Sequence, residues 1–273
     1  MGDQEIWVAE NQRLKQQVQD LQARVTALEA SRWWRLHPRF AVGRVLRPSA
    51  TKPVREPASS TASVSKRPTS DVADRFRHEV VERGDFTEDW FTVYIPTWDR
   101  VLSELEERRA RVLEVGSFEG LSASFVLWRL PDSEVTCVDT FAGIPAYEAY
   151  GIGGPELEKR FDRNVALVDS SRVRKRPGRS HRVLSDLLAT AELFDLIYID
   201  ASHQALDVLA DAALAWQLLS PHGLLIFDDY GPIPAGVAPL DHPTLAIDAF
   251  RELMAEQLEV VDEERQLVVR KRA

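Results

Sequence analysis

The length, composition and charge of the chain exclude several classes of protein. At 273 residues, 44% of them hydrophobic, it can build one large domain or two small ones with an ordinary soluble core. No stretch approaches the roughly 18 uncharged apolar residues of a membrane span. The polar, acidic start MGDQEIWVAENQ is unlike a secretory signal. The single cysteine, Cys137, excludes an internal disulfide, so we expect a reduced, cytoplasmic protein.

The net charge of −9 is distributed unevenly along the chain. Residues 1–30 carry −2, residues 31–70 carry +8 and residues 71–273 carry −15. This division predicts an N-terminal segment, a basic connector and an acidic body. An acidic body repels phosphate, which argues against a nucleic-acid substrate.

Residues 1–30 have the heptad pattern of a coiled coil. Position a holds Asn11, Val18 and Val25, and position d holds Trp7, Leu14, Leu21 and Leu28. The same register places Arg24 at g and Glu29 at the following e, where they can form an interhelical ion pair. We therefore expect a homo-oligomer that assembles through this segment. The alternative is a lone amphipathic helix packed on the body.

Residues 31–75 have the composition of a linker, with five prolines and the stretch PASSTASVS. Their first part, SRWWRLHPRFAVGRVLR, mixes Trp33, Trp34 and Phe40 with five arginines. Such a patch can lie on an anionic membrane surface or touch nucleic acid, and a solvated basic tether is an equal alternative. The stretch LEASRWWRL resembles the coiled-coil tails of many bacterial glycosyltransferases and glycan-modifying enzymes, which hints at a glycan pathway.

From about residue 76 onward, short apolar runs alternate with helical patterns. The runs are RVLEVG (111–116), EVTCVD (134–139), FDLIYID (194–200) and GLLIFDD (223–229). Continuous apolar runs of this length suit parallel strands that are covered on both faces. Between the last two runs, residues 204–219 predict a helix whose buried face carries Leu206, Leu209, Ala213 and Trp216 or Gln217. We predict an α/β, doubly wound, Rossmann-like domain over residues 76–273, closed by an antiparallel hairpin in LEVVDEERQLVVRK.

The stretch LEVGSFEGLSA follows the first predicted strand and opens a helix. Its Gly116 and Gly120 form G-x-x-x-G, which differs from the G-x-G-x-x-G of dinucleotide binding, and no P-loop lysine follows. Gly116 permits a sharp turn and a close approach of a ligand to the backbone. Glu114 ends the strand where it can meet an amino group, and Asp139 ends the next strand where it can bind the hydroxyls of a ribose. This pattern indicates a nucleoside cofactor without a pyrophosphate.

Four stretches together resemble class I SAM-dependent methyltransferases: RVLEVGSFEGLSASFVLWRL, VTCVDTFAG, FDLIYIDASH and LLIFDDY. They are most similar to the metal-dependent O-methyltransferases of macrolide sugars and catechols, over roughly residues 85–271. The resemblance implies a seven-stranded sheet and S-adenosyl-L-methionine as cofactor. It implies that the methionine part contacts Glu114, Gly116 and Ser122, the ribose Asp139 and the adenine Ser180 in the loop GRS. Further cofactor contacts expected from it are Ser117, Phe118, Gly120 and Asp200.

Three carboxylates stand at the ends of the last two apolar runs: Asp200, Asp228 and Asp229. In a doubly wound sheet the carboxyl ends of neighbouring strands meet at one edge, so these groups should converge. Converging anions need a cation, and oxygen ligands without cysteine indicate Mg²⁺, with Mn²⁺ or Ca²⁺ as alternatives. The same positions hold the metal in the catechol-type enzymes, which commonly have Asn in place of Asp229.

His203 follows Asp200 by three residues and is the expected catalytic base. A free imidazole titrates near neutral pH and can accept a proton there. The catechol-type enzymes have a lysine at this position, whereas the macrolide-sugar branch has Asp-x-x-His, as in this chain. The alternatives are a helix-capping histidine and one that supports the metal ligands.

We therefore expect a SAM-dependent, Mg²⁺-assisted O-methyltransferase that acts on a hydroxyl of a sugar, glycoconjugate or secondary metabolite. The Gly- and Tyr-rich segment 140–161 is expected to be irregular and to cover the substrate as a lid. One alternative is a non-catalytic, methyltransferase-like scaffold. Another is a cephalosporin-hydroxylase-like protein of the same fold, although iron ligation would need more histidines than His203 near the site.

Overall fold

A computed structural model of the chain describes residues 71–143 and 153–273. The predicted coiled coil and residues 31–70 of the predicted linker lie outside the described residues, as do the oligomer contact and membrane contact expected from them. Within the described ranges, no helix is long and apolar enough to cross a membrane. Residues 232–238 belong to a separate unit and contain a turn in which the Val237 amide donates to the Pro234 carbonyl (3.1 Å).

The rest of the described chain alternates strands and helices. The α-helices are α1 (Asp71–Glu79), α2 (Ile95–Ser103), α3 (Leu121–Arg129), α4 (Gly154–Ala166), α5 (Ser180–Ala189), α6 (Ala205–Leu218) and α7 (Thr244–Leu253). The strands are β1 (Arg111–Val115), β2 (Glu134–Asp139), β3 (Val173–Pro177), β4 (Phe194–Ile199), β5 (Leu219–Phe227), β6 (Leu258–Glu263) and β7 (Leu267–Lys271). Short 3₁₀ turns span Val81–Arg83, Thr92–Tyr94, Ser170–Arg172 and Pro239–Asp241.

The strands form one seven-stranded sheet in the order β3-β2-β1-β4-β5-β7-β6. The first five are parallel to their neighbours, and β7 pairs antiparallel with both β5 and β6. This confirms the predicted Rossmann-like sheet with a C-terminal antiparallel hairpin. Val115 pairs with Val138 and Ile199, and Ile199 pairs with Phe227, so the carboxyl ends of β1, β2, β4 and β5 lie level.

Apolar side chains cover the sheet on both faces, as the continuous apolar runs predict. Alternate residues of β1 point to opposite sides: Val112 packs with Trp98 and Phe125, whereas Leu113 packs in the second core with Ile197. Two buried layers explain why the central strands carry so few polar residues. The buried acidic residues Glu114, Asp228 and Asp229 lie at the carboxyl ends of β1 and β5.

The helix predicted over residues 204–219 is present as α6, and its predicted buried face is right at Trp216, which is buried, but wrong at Leu206 and Ala213, which are exposed. Leu206 is 69% exposed, whereas Val208, Ala212 and Ala215 are buried. α6 lies between α5 and α7, and small residues on its buried face let these helices approach closely. The most apolar side chain of the first turn was therefore a poor guide to the buried face.

Three segments differ from the sequence-based boundaries. β3 was missed because its sequence, VRKRP, is charged, as suits an edge strand. α1 begins at Asp71, inside the stretch assigned to the linker, because Ala73 and Phe76 are buried in the core. Of the predicted irregular lid, residues 154–161 form the first half of α4, and residues 144–152 lie outside the described residues.

Candidate functional site

The turn between β1 and α3 carries the G-x-x-x-G glycines, and both have positive φ (+96° and +80°). A Cβ at Gly116 would lie 2.2 Å from the backbone oxygen of Asp200, so the absent side chain lets the ends of β1 and β4 touch. At Gly120 a Cβ would lie 2.9 Å from the Phe161 ring. Ser117, between the glycines, is buried. These glycines serve the packing of the protein itself, besides any approach of a ligand.

Glu114 ends β1 as a buried carboxylate, 2% exposed. Its Oε1 accepts a hydrogen bond from the Ser122 hydroxyl, while Oε2 has no donor of good geometry among the described residues. Burial raises the pKa of Glu114 to about 7; the Ser122 and Ser117 hydroxyls lower it, and the nearby Asp200 charge raises it further. A buried carboxylate with an unsatisfied oxygen is suited to receive an ammonium group.

Asp139, at the end of β2, organises the loops around it. Its Oδ2 accepts from the Phe118 amide (2.8 Å) and its Oδ1 from the Phe141 amide (2.7 Å). Each carboxylate oxygen keeps a further lone pair that a ribose hydroxyl could use. Phe118, at φ +45°, is in turn stacked on Trp90, with ring centroids 5.1 Å apart. Trp90 belongs to the segment before α2 and was not singled out in the sequence.

The loop predicted to face the adenine lies beside Asp139, because the Gly178 amide donates to the Asp139 carbonyl (2.8 Å). Ser180 begins α5 and adjoins Asp211, a carboxylate of α6 that is 1% exposed. Burial raises the pKa of Asp211 to about 6, and the Ser180 hydroxyl lowers it. Ser180 therefore lies close to a buried carboxylate of the protein itself, besides any contact with a cofactor.

At the ends of β4 and β5, ligand atoms of Asp200, His203 and Asp229 lie within 4.8 Å of one another. His203 Nε2 is 2.8 Å from Asp229 Oδ2, and the Asp229 side chain is only 2% exposed. Asp229 has φ +55°, a strained conformation that an aspartate tolerates better than most residues. The Tyr198 hydroxyl donates to Asp200 Oδ2 (3.1 Å). The same cleft is lined by Phe227 and Pro243.

Asp228 lies in this cleft lining but outside that three-residue group. Its Oδ1 accepts from the side-chain amide of Gln266 (2.9 Å), and Gln266 Oε1 accepts from Trp98 Nε1 (2.8 Å). Both Trp98 and Gln266 are buried. The three predicted metal ligands thus lie at one edge of the sheet. Asp200 and Asp229 lie beside His203. Asp228 is instead held by Gln266, which directly precedes β7. The assignment of Asp228 as a ligand stays a prediction.

Sequence reasoning missed the residues that support the site. Four residues contact site residues or the partners of site residues: Trp90, Trp98, Tyr198 and Gln266. Gln266 is far in sequence from the residue that it contacts, Asp228. Tyr198 alone had a signal, since it precedes Asp200 by two residues on a strand and can point to the same side.

Comparisons with known proteins agree with this geometry. Residues 113–230 match a family described as a methyltransferase domain. A protein from Klebsiella pneumoniae provisionally assigned as an O-methyltransferase superposes with TM-score 0.52 at 20% identity, over 76% of this chain and 92% of that one. The O-methyltransferase TomG from Streptomyces achromogenes, solved with SAM, gives TM-score 0.52 at 16% identity, over 74% and 90%.

A third similar structure is MycE, a methyltransferase of the mycinamycin pathway solved with Mg, SAH and mycinamycin VI. It superposes with TM-score 0.51 at 18% identity, over 76% of this chain and 56% of that one. A search of curated proteins gives no match. The chain is thus similar to methyltransferases over residues 113–230, and the described residues share the fold of these solved O-methyltransferases.

Proposed function

We propose that the chain transfers a methyl group from SAM to a hydroxyl of a sugar, glycoconjugate or secondary metabolite. The observation that carries this proposal is the cluster of Asp200, His203 and Asp229 at the carboxyl edge of a methyltransferase sheet. A base and two carboxylates fit the deprotonation of a hydroxyl. The complex of MycE with mycinamycin VI supports a secondary metabolite among the acceptors.

The residues around β1 and β2 fit the cofactor. Glu114 offers a buried carboxylate oxygen to the amino group of SAM, and Asp139 offers its remaining lone pairs to the ribose. The Gly178 contact brings Ser180 to the side where the adenine would lie. Bound SAM supplies an electrophilic methyl group whose sulfur leaves as a neutral thioether.

The carboxylates of the site fit more than one divalent cation. Carboxylate oxygens of Asp200 and Asp229 suit Mg²⁺, Mn²⁺ or Ca²⁺. When bound, such a cation would lower the pKa of an acceptor hydroxyl by Lewis acidity. The complexes of MycE with Mg support this part of the proposal.

Asp229 would position His203 for the proton transfer. When Nε2 carries the proton, it donates a hydrogen bond to Asp229 Oδ2 at 2.8 Å, which leaves Nδ1 as the basic nitrogen. In the proposed step, His203 takes the hydroxyl proton while the acceptor oxygen bonds to the methyl carbon. The methyl group would come from bound SAM, whose sulfur would keep the electron pair of the broken bond. Orientation of the two reactants supplies much of the rate.

The test is a methyl-transfer assay with the full chain, SAM, and a panel of acceptors that carry vicinal hydroxyls, with Mg²⁺ or with EDTA. We expect formation of S-adenosylhomocysteine that depends on acceptor and metal. His203→Gln should lower the rate by about 10²–10⁴-fold, whereas His78→Gln, at an exposed site on α1, should leave it unchanged.

Two results would count against the proposal. Undiminished turnover by the His203→Gln variant would contradict the proposed role of His203 as the base. Tight binding of S-adenosylhomocysteine without turnover on any acceptor would favour the non-catalytic scaffold.

A further inference from the structure

Three arginines line one open cleft at the end of β3, the edge strand that lies three strands from β4 in the sheet. Arg176 lies at the end of β3, Arg179 precedes α5 as its N-cap residue, and Arg182 lies in the first turn of α5. The cleft has a volume of about 550 Å³ and is also lined by Gly178, His181 and Asp186. Ligand clefts commonly have volumes of this order.

The basic residues that precede these arginines are neutralised within the protein. Arg172 pairs with Asp169 (3.0 Å), Arg174 with Glu192, and Lys175 with both Glu158 (2.9 Å) and Asp162 (2.7 Å). By contrast, the three cleft arginines make no ion pair with a described residue. Asp186 contributes one carboxylate to the lining, so the guanidinium charge exceeds the carboxylate charge there.

The backbone adds to this positive potential. Arg179 supplies no side-chain cap to α5, and the first amides of a helix have no acceptor inside the helix. The N-terminus of a helix also favours negative charge. Residues 71–273 as a whole carry −15, so the positive cleft runs against the charge of the body around it.

We propose that this cleft binds a phosphoryl group. A guanidinium offers two parallel N–H donors to phosphate oxygens, and three of them around one opening can hold a dianion. This ligand is distinct from the methyl acceptor, and the cleft adjoins the proposed adenine site, because Gly178 belongs to both. β2 and β1 separate β3 from β4, which places the cleft roughly three strand spacings, about 14 Å, from the Asp200 cluster. The phosphoryl group can come from a soluble metabolite or from a phospholipid headgroup.

The test is calorimetric titration of inorganic pyrophosphate into the full chain and two variants. The first variant combines Arg176→Ala, Arg179→Ala and Arg182→Ala. The second, a control of equal charge, combines Arg75→Ala, Arg83→Ala and Arg108→Ala, three exposed positions outside the cleft. The basic segment 31–70 is common to all three proteins, so it cancels from the comparison.

We expect pyrophosphate to bind the parent and control proteins alike and to bind the cleft variant at least about tenfold more weakly, a loss of about 1.4 kcal/mol. Equal affinity for all three proteins would overturn the proposal. An equal loss in both variants would also overturn it, since that result reports net charge alone.

The source of the phosphoryl group is settled by co-sedimentation with vesicles of phosphatidylcholine, with and without phosphatidylglycerol. Sedimentation that needs phosphatidylglycerol and the three cleft arginines would assign the cleft to a phospholipid headgroup. Pyrophosphate binding without such sedimentation would assign it to a soluble ligand. Sedimentation that persists in the cleft variant would place lipid contact elsewhere in the chain.

Discussion

Gly116 and Gly154 share a positive φ but differ in their surroundings. A Cβ at Gly116 would meet the Asp200 backbone at 2.2 Å, whereas one at Gly154 would meet nothing within 4 Å. Both alanine variants carry the strain of φ +96° or +61°, but only Gly116→Ala also forces two strand ends apart. We expect Gly116→Ala to lose at least about 2 kcal/mol more unfolding free energy than Gly154→Ala. Equal losses in urea unfolding would contradict the packing role of Gly116.

Glu114 makes the stability of the protein depend on pH. Its pKa is about 7 in the folded protein against 4.5 as the reference value, so the folded state holds this proton more tightly. The unfolding free energy therefore falls as pH rises from 4.5 to 7, and the loss is complete above pH 7. Glu114→Gln removes this titration.

We expect the unfolding free energy of the variant, relative to that of the parent protein, to increase by about 2–3 kcal/mol between pH 5 and pH 8. Urea unfolding at the two pH values measures this change, with Glu259→Gln, an exposed position on β6, as the control. A difference between variant and parent that does not change with pH would contradict the raised pKa. The same variant should bind SAM more weakly, because the amide cannot neutralise an ammonium group.

At the scale of elements, Gln266 ties the C-terminal hairpin to the site. Replacing it by leucine would leave Trp98 Nε1 without its acceptor and Asp228 Oδ1 without the Gln266 donor, both in buried positions. We expect Gln266→Leu to lower the unfolding free energy by about 2–4 kcal/mol. Gln217→Leu, on the exposed part of α6, should change it by less than about 0.5 kcal/mol. Similar effects of the two substitutions would contradict a structural role for the buried network.

The elements also show how far a sequence predicts this fold. The central strands were predictable because both of their faces are buried, which leaves a continuous apolar signal in runs such as Leu196–Ile199. The edge strand β3 is charged and had no such signal. The buried face of α6 was partly misjudged, because contact with α5 and α7 selects Ala212 and Ala215 over the more apolar Leu206.

The site was predictable to a similar degree. Strand order places Glu114, Asp139, Asp200 and Asp229 on one edge, and this follows from where each apolar run ends. The direction of each side chain does not follow from the run. Gln266 holds Asp228, and this contact depends on a hairpin 38 residues later in the chain.

At the scale of the whole molecule, the two proposed binding sites lie in regions of opposite charge. The carboxylates gather at the ends of β1, β2, β4 and β5, where a cationic cofactor and a metal ion are proposed to bind. Three arginines without ion-pair partners among the described residues lie together at the end of β3. Cation and anion binding would then occupy opposite parts of the same sheet edge.

The most direct test of the central claim is calorimetric titration of S-adenosylhomocysteine into the full chain and its Asp139→Asn variant. We predict micromolar binding to the parent protein and at least about tenfold weaker binding to the variant. Asp132→Asn, at an exposed turn, should bind like the parent. Absence of binding to the parent protein would contradict the proposal that this chain is a SAM-dependent methyltransferase.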